Sequence, residues 1–467
     1  MSGSLITRVE LPVFLQQVST DEYQPHPYSC ADQRVVRHTE VLLAGAQDRA
    51  GAKARRWGEG REATAAGLIA INAEWGEYFH VPLDALHDES AASEVFTGDE
   101  AVIDVQTHFM EPHSLAGFGA EMIPALFREV MPWWWKDLDA PVRYDLAAYI
   151  DNVFLRTENA VAVLTSGPGV DVDPSRHLFN DEMAATRALI DGLAGSGRLL
   201  NHSVVHANVI SDFESMEHTR DLYNPAGWKV YTTGAVTRDG VAGGWQLDDE
   251  NGFRFLERAR DLDVRLVCAH KGISMLAENG SPRDVGPAAK AFPDIDFLIY
   301  HSGYEMSTHG GAPEGAYTES TLNDGVNRLI SSIIDAGIEG QGNVYAELGT
   351  TWFCLIRRPI EAAHVLGKLI QRLGADNVIW GTDSIWYGSA QPLIDAFRTF
   401  QIPDWMCEEF GYEPLTPQVR AKILGENAAR VYDIDLPAAR ERAQADELSW
   451  ARTLIQEYDR VGFSGLR

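Results

Sequence analysis

Side chains able to ligate a cation or move a proton recur in this chain just after short apolar runs. In Asp104-Val105-Gln106-Thr107-His108 an amide and an imidazole stand two residues apart. In an extended strand that spacing puts both on one face, aimed at one point. His206 follows a second such run, and Lys229 lies inside Trp228-Lys229-Val230-Tyr231. His270 and Lys271 end a further run, His301 and Glu305 follow the next, Glu347 closes Val344–Glu347, and Asp383 completes Gly381-Thr382-Asp383. Glu111 adds a carboxylate after the first run. Imidazoles mixed with carboxylates suit a divalent transition metal, and with open positions they suit iron and oxygen chemistry. Alternatively, a bound metal lowers the pKa of water or polarises a carbonyl, with Asp383 as general base beside it.

The runs that carry these groups are short and rich in β-branched residues, and they alternate with helical patterns, which predicts βα units around a parallel sheet. Eight strands are expected, over 101–105, 160–165, 203–209, 228–231, 264–268, 295–300, 344–347 and 378–380. Asn180-Asp181 is a candidate cap for a helix stopping at Gly195 and Gly197, and a second helix ends at Gly374. Eight units predict a closed (β/α)8 TIM barrel, class α/β, with a doubly wound open sheet as the alternative. In such a barrel the C-terminal strand ends face the active site, where the groups above fall. Residues 1–100 read as an N-terminal extension packed on the barrel, 101–435 as the metal-dependent barrel, and 436–467 as a C-terminal helical tail.

Four features in this order carry a resemblance: a first-strand pair ending in His108, a fifth-strand His270, the sixth-strand LIYHSGY and the eighth-strand IWGTDSIW. Over roughly residues 101–435 the chain resembles the amidohydrolase superfamily, in its amidohydrolase-related branch, which includes metal-dependent decarboxylases. The resemblance implies metal ligation by Gln106, His108, His270, His301 and Asp383. It also implies Lys229 as a candidate carboxylated bridge between two metals, a catalytic partner to Asp383 and Glu305. His206, Glu305 and Glu347 stand as further candidate ligands. The family pattern begins His-x-His; Gln106 departs from it, and an amide oxygen is a poorer zinc ligand than imidazole. The DVQTHF segment and the long extension before it resemble, more narrowly, amidohydrolase-fold nonheme diiron monooxygenases of diterpenoid antibiotic (platensimycin/platencin) biosynthesis. That implies two Fe, dioxygen as co-substrate and hydroxylation of a bulky, terpenoid-like molecule. The alternative is a Zn- or Mn-dependent hydrolase or decarboxylase of a small organic acid.

Aromatic groups at Trp133-Trp134-Trp135, Trp352-Phe353 and Trp386-Tyr387 are candidates to line an apolar pocket. Lys271, Arg238 or Arg143 are candidates to pair with a substrate carboxylate. His113, His309 and His364 read as structural. The net charge of −29 opposes nucleic-acid and anionic-membrane partners. Four scattered cysteines without a C-x-x-C pair fit a reducing cytoplasm. The apolar stretch 63–75 after Arg55-Arg56 is too short to span a bilayer and reads as a packed helix. The resemblance also implies a homodimer.

Overall fold

Eight parallel strands form in the computed structural model, which describes residues 11–16, 28–50, 60–115, 144–167, 176–237, 240–306 and 310–461. They run Val102–Thr107, Asn159–Leu164, Leu199–Asn201 continued by Ser203–Val204, Trp228–Tyr231, Leu266–His270, Asp296–Tyr300, Val344–Glu347 and Val378–Ile379. Each pairs in parallel with the next. The third strand breaks at His202: its first part pairs with the second strand and its last part with the fourth. The ring closes between the eighth strand and the first. Val105 N donates to Trp380 O (3.3 Å), Asp383 N to Gln106 O (2.8 Å) and His108 N to Ser384 O (2.6 Å). Closure makes this a (β/α)8 barrel and removes the open-sheet alternative.

Strand alternation builds two apolar layers. Inside the barrel, Ile103, Val105, Val163, Leu266, Cys268 and Leu298 share one core with Tyr300, Tyr345 and Ile379. Their strand neighbours Val102, Val267, Ala269, Phe297 and Ile299 belong to the other core, between sheet and helices. Ala428, Ala429 and Tyr432 close the interior at the strands' N-terminal end. The in-register pairs Lys229 with Cys268 and Tyr231 with His270 put all four side chains on the inner face.

The third strand is displaced from its expected place. It starts at Leu199 and ends at Val204, where 203–209 was predicted. Asn180 ends it: its side chain accepts from Val204 N (2.9 Å) and donates to Val204 O (3.2 Å), taking over that peptide's hydrogen bonds. Asn180 is therefore no cap. The helix Asn180–Ala194 instead starts with Glu182 reaching back to Phe179 N (2.7 Å), as an acid in the first turn should. It ends, as expected, at Gly195 with φ +69°.

The expected helix before the eighth strand spans Pro359–Leu373 and stops at Gly374. Residues Arg61–Trp75 form a helix with Ala63, Ala65, Ala66, Leu68 and Ile71 buried. Its Gly67 lets the Phe14 ring approach the backbone. The C-terminal helical tail divides into Leu436–Ala445 and Glu447–Val461. Asp446 sits at the break, capping Ser449 N and pairing with buried Arg198 at 2.6 Å. No helix among the described residues is long and apolar enough to cross a membrane.

Candidate active site at the barrel mouth

Backbone strain marks the mouth independently of any motif. Of the ten non-glycine residues with positive φ among the described residues, seven lie just past the fifth to eighth strands: Ile273, Met275, Leu276, His301, Ser302, Thr350 and Asp383. Residues keep such angles only where the surroundings impose them, and they cluster at functional sites.

Asp383 is the centre. Its Oδ1 accepts from Gln106 Nε2 at 2.8 Å and lies 2.9 Å from His108 Nε2. Its Oδ2 accepts from the Thr350 hydroxyl. Gln106, His108, Thr350 and Asp383 are all buried. The first-strand pair thus reaches one carboxylate on the eighth, as the two-residue spacing predicts. The His301 ring crosses His270 with centroids 4.7 Å apart, nearly perpendicular. His301 Nδ1 lies 2.8 Å from Gly349 O, and donation there leaves the lone pair on Nε2. Glu347 is lodged between glycines: a Cβ at Gly381 or Gly349 would overlap its Oε1. Its oxygens accept from His301 N (3.0 Å) and Gly349 N (2.6 Å). Burial pushes its carboxyl up to about 7, against the lowering pull of His301. Carboxyls that titrate near neutrality are matched to proton transfer at neutral pH.

Lys229 is buried, with Nζ 3.5 Å above the Tyr300 ring and 4.7 Å from the Tyr231 ring centre. Tyr231 stacks on His270 at 4.9 Å. His206 opens the turn after the third strand, its carbonyl accepting from Val209 N and its Nδ1 3.1 Å from Asp212 Oδ2. Trp386 lies over His108 at 5.9 Å and touches Tyr144 and His177, so it borders the site.

Three candidates are engaged elsewhere. Glu305 accepts from Ser274 Oγ (2.6 Å) and Arg328 Nη2 (3.2 Å), inside a buried ion pair that anchors the loop after the fifth strand. Lys271 is buried against Asp284 at 2.6 Å and donates to Asn279 O, which ties down the same loop. Trp352 packs edge-on to Phe397 and Phe400, with Nε1 donating to Leu393 O, in the outer core. Glu111 is partly exposed, with its carboxyl raised by burial and by Glu182. His113 pairs with Glu182 and His364 with Tyr412. Trp133, Trp134, Trp135, Arg143, Arg238 and His309 lie outside the described residues.

Two residues of this cluster escaped the sequence reading. Thr350 carries no motif. Asp104, alternating with Gln106 and His108, had a signal in its spacing.

The donor set is imidazole, carboxylate and amide, suited to a divalent cation held by mixed N and O atoms. Gln106 Oε1 and His108 Nδ1 are buried without a hydrogen-bond partner among the described residues, which fits a ligand group completing the site. As the side chains stand, no three His, Cys, Asp or Glu among the described residues close round one point. The fit is therefore one of chemistry, and loading a cation requires Asp383 to exchange a hydrogen-bond partner for it.

Fold and strand-end chemistry define a (β/α)8 barrel with imidazoles and carboxylates gathered at its mouth. The amidohydrolase family model matches residues 237–434, which include the fifth to eighth strands with His270, His301, Glu347 and Asp383. The match spans less than half the chain and leaves out Gln106 and His108. Among solved structures, an uncharacterised TIM-barrel protein from Bordetella bronchiseptica is 12% identical (TM-score 0.47, covering 73% of this chain and 99% of that one). 5-Carboxyvanillate decarboxylase from Sphingomonas paucimobilis is 18% identical (TM-score 0.42, 72% and 100%). 2,6-Dihydroxybenzoate decarboxylase from Rhizobium is 14% identical (TM-score 0.42, 72% and 99%). No curated protein sequence matches.

Proposed function

We propose that this protein is a metal-dependent hydrolase or nonoxidative decarboxylase of a small organic acid. The observation that carries the proposal is the meeting of Gln106, His108 and Thr350 on Asp383, beside Glu347 and the His270–His301 pair. The amidohydrolase family match over the fifth to eighth strands supports it. His108, His270, His301 and Asp383 would hold the cation, with Gln106 bracing Asp383 through its amide. The cation would polarise a carbonyl or carboxylate, or bring the pKa of bound water toward 7. Asp383 would take the proton from the attacking water in hydrolysis, or deliver a proton to the carbon that loses CO2 in decarboxylation, and Glu347, its carboxyl near neutrality, would pass a proton to or from the mouth. The aromatic wall of Trp386, Tyr144 and Tyr231 suits a planar apolar acid and keeps water out. Lys271 is occupied by Asp284, so the substrate carboxylate is held by the cation rather than by this lysine.

One observation favours a second reading, a nonheme diiron oxygenase: the set has two buried carboxylates and an amide where a zinc hydrolase would hold a second imidazole. Metal analysis of protein purified without added metal, followed by turnover assays in and out of air, separates the two. One zinc or manganese per chain, with anaerobic release of product from aromatic acids or esters, is the expected result. Two irons per chain with substrate-coupled oxygen uptake overturns it in favour of the oxygenase. Protein that binds none of these metals on titration removes both.

A further inference from the structure

One buried carboxylate at the mouth has no part in this chemistry. Asp104 lies two residues before Gln106 and is fully buried. Its Oδ1 accepts the backbone N–H of Gln106 (3.2 Å) and of Thr382 (3.0 Å). Its Oδ2 accepts the Thr382 hydroxyl at 2.5 Å, and that hydroxyl oxygen accepts Ser384 N–H at 3.1 Å. One side chain thus joins the first and eighth strands, 278 residues apart, where the barrel closes. On its other side the first strand is irregular too, its register against the second strand shifting between Asp104 and Thr107. Beside the joined points stand Gln106 and Asp383, the latter at φ +62°. A carboxylate accepting three hydrogen bonds is well suited to hold that backbone angle.

We propose that Asp104 is a positioning residue: it touches neither cation nor substrate, and it sets Asp383 against Gln106 and His108 by clamping Thr382. This rests on the reading of Asp383 and His108 as cation ligands. Outer groups that orient ligands typically change metal affinity by about 10- to 100-fold. Asp104→Asn keeps an oxygen for both backbone N–H groups but replaces the hydroxyl acceptor with a donor. Thr382→Val removes the hydroxyl, and Thr382→Ser restores it.

The test uses the full chain stripped of metal. It measures the dissociation constants of Mn²⁺ and Zn²⁺ by chelator competition, the visible spectrum of the Co²⁺ form, and the thermal midpoint of the metal-free protein. Asp104→Asn and Thr382→Val should each weaken binding about 10- to 100-fold and shift the Co²⁺ bands, while Thr382→Ser keeps wild-type values. The double variant should bind no more weakly than the poorer single variant, since both cut one clamp. Wild-type affinity and spectrum in both single variants, with only the metal-free midpoint lowered, would overturn the proposal and leave Asp104 a seam residue. If Asp104→Asn does not fold, Thr382→Val decides. A wild-type chain that binds neither ion fails earlier, and that failure belongs to the metal reading.

Discussion

Asp383 and Glu305 look alike in sequence, each a carboxylate shortly after a strand end, yet their surroundings give them different work. Asp383, past the eighth strand, gathers groups from the first and seventh strand ends. Glu305 is spent on Arg328 and Ser274. Asp383→Asn should therefore cut bound metal, measured per chain after dialysis, and leave the metal-free protein folded. Glu305→Gln should do the reverse. It leaves Arg328 buried without its counter-charge, which costs about 3–5 kcal/mol. Calorimetry of the metal-free form should show that loss while metal content holds. Equal metal loss in both variants would return Glu305 to the ligand set. The His108, His270 and His301 positions were legible because strand ends in a barrel share one face. The engagement of Lys271 and Trp352 was not, because their partners are set by packing.

Elements position these groups through a few backbone points where no side chain fits. Gly381 and Gly349 leave the slot that Glu347 fills. Gly381→Ala should displace Glu347, lowering both the thermal midpoint and the metal affinity. By contrast, Gly192 in the helix Asn180–Ala194 has open space around the missing Cβ. Gly192→Ala should stabilise by about 0.4–1 kcal/mol and leave metal binding untouched, as paired melting and metal titrations would reveal. If both variants behave alike, the Glu347 slot has no special role. Seven strands formed close to where apolar runs and their flanking breaks placed them. The third lies earlier than expected, paired from Leu199 with the second strand, and at its end Asn180 from another element hydrogen-bonds Val204 N and O, a long-range contact that no local pattern records.

Across the whole molecule, the extension and the barrel share buried charge. Arg61, on the extension's helix, reaches Glu158 at 2.5 Å and Asp395 at 3.5 Å, and Arg398 reaches Glu158 and Glu100. Burial pushes the Asp395 carboxyl up to about 7 despite Arg61. Folded protein therefore holds a proton that the unfolded chain releases near pH 4. Stability from Asp395 is present below about pH 4 and is lost as pH rises to about 7. His202 and His364, pulled by burial to about 3 and about 4, act oppositely: their stability is present above pH 6.5 and is lost on acidification. Comparison with Asp395→Asn isolates the first effect, since Arg61 keeps Glu158. The variant should gain in thermal midpoint relative to wild type between pH 5 and pH 8; a constant difference would mean Asp395 keeps its charge throughout. The sequence by itself determined the barrel class, the order of its strands and the strand-end groups, because alternation and apolar runs are local and a barrel turns strand ends into neighbours. Only the tertiary structure decided which of those groups meet. Closure brings Asp104 to Thr382 and Gln106 to Asp383 across nearly the whole barrel sequence, while Glu305 and Lys271 are claimed by Arg328 and Asp284. A buried polar group takes whichever partner packing brings within hydrogen-bond reach, and that choice is made in three dimensions.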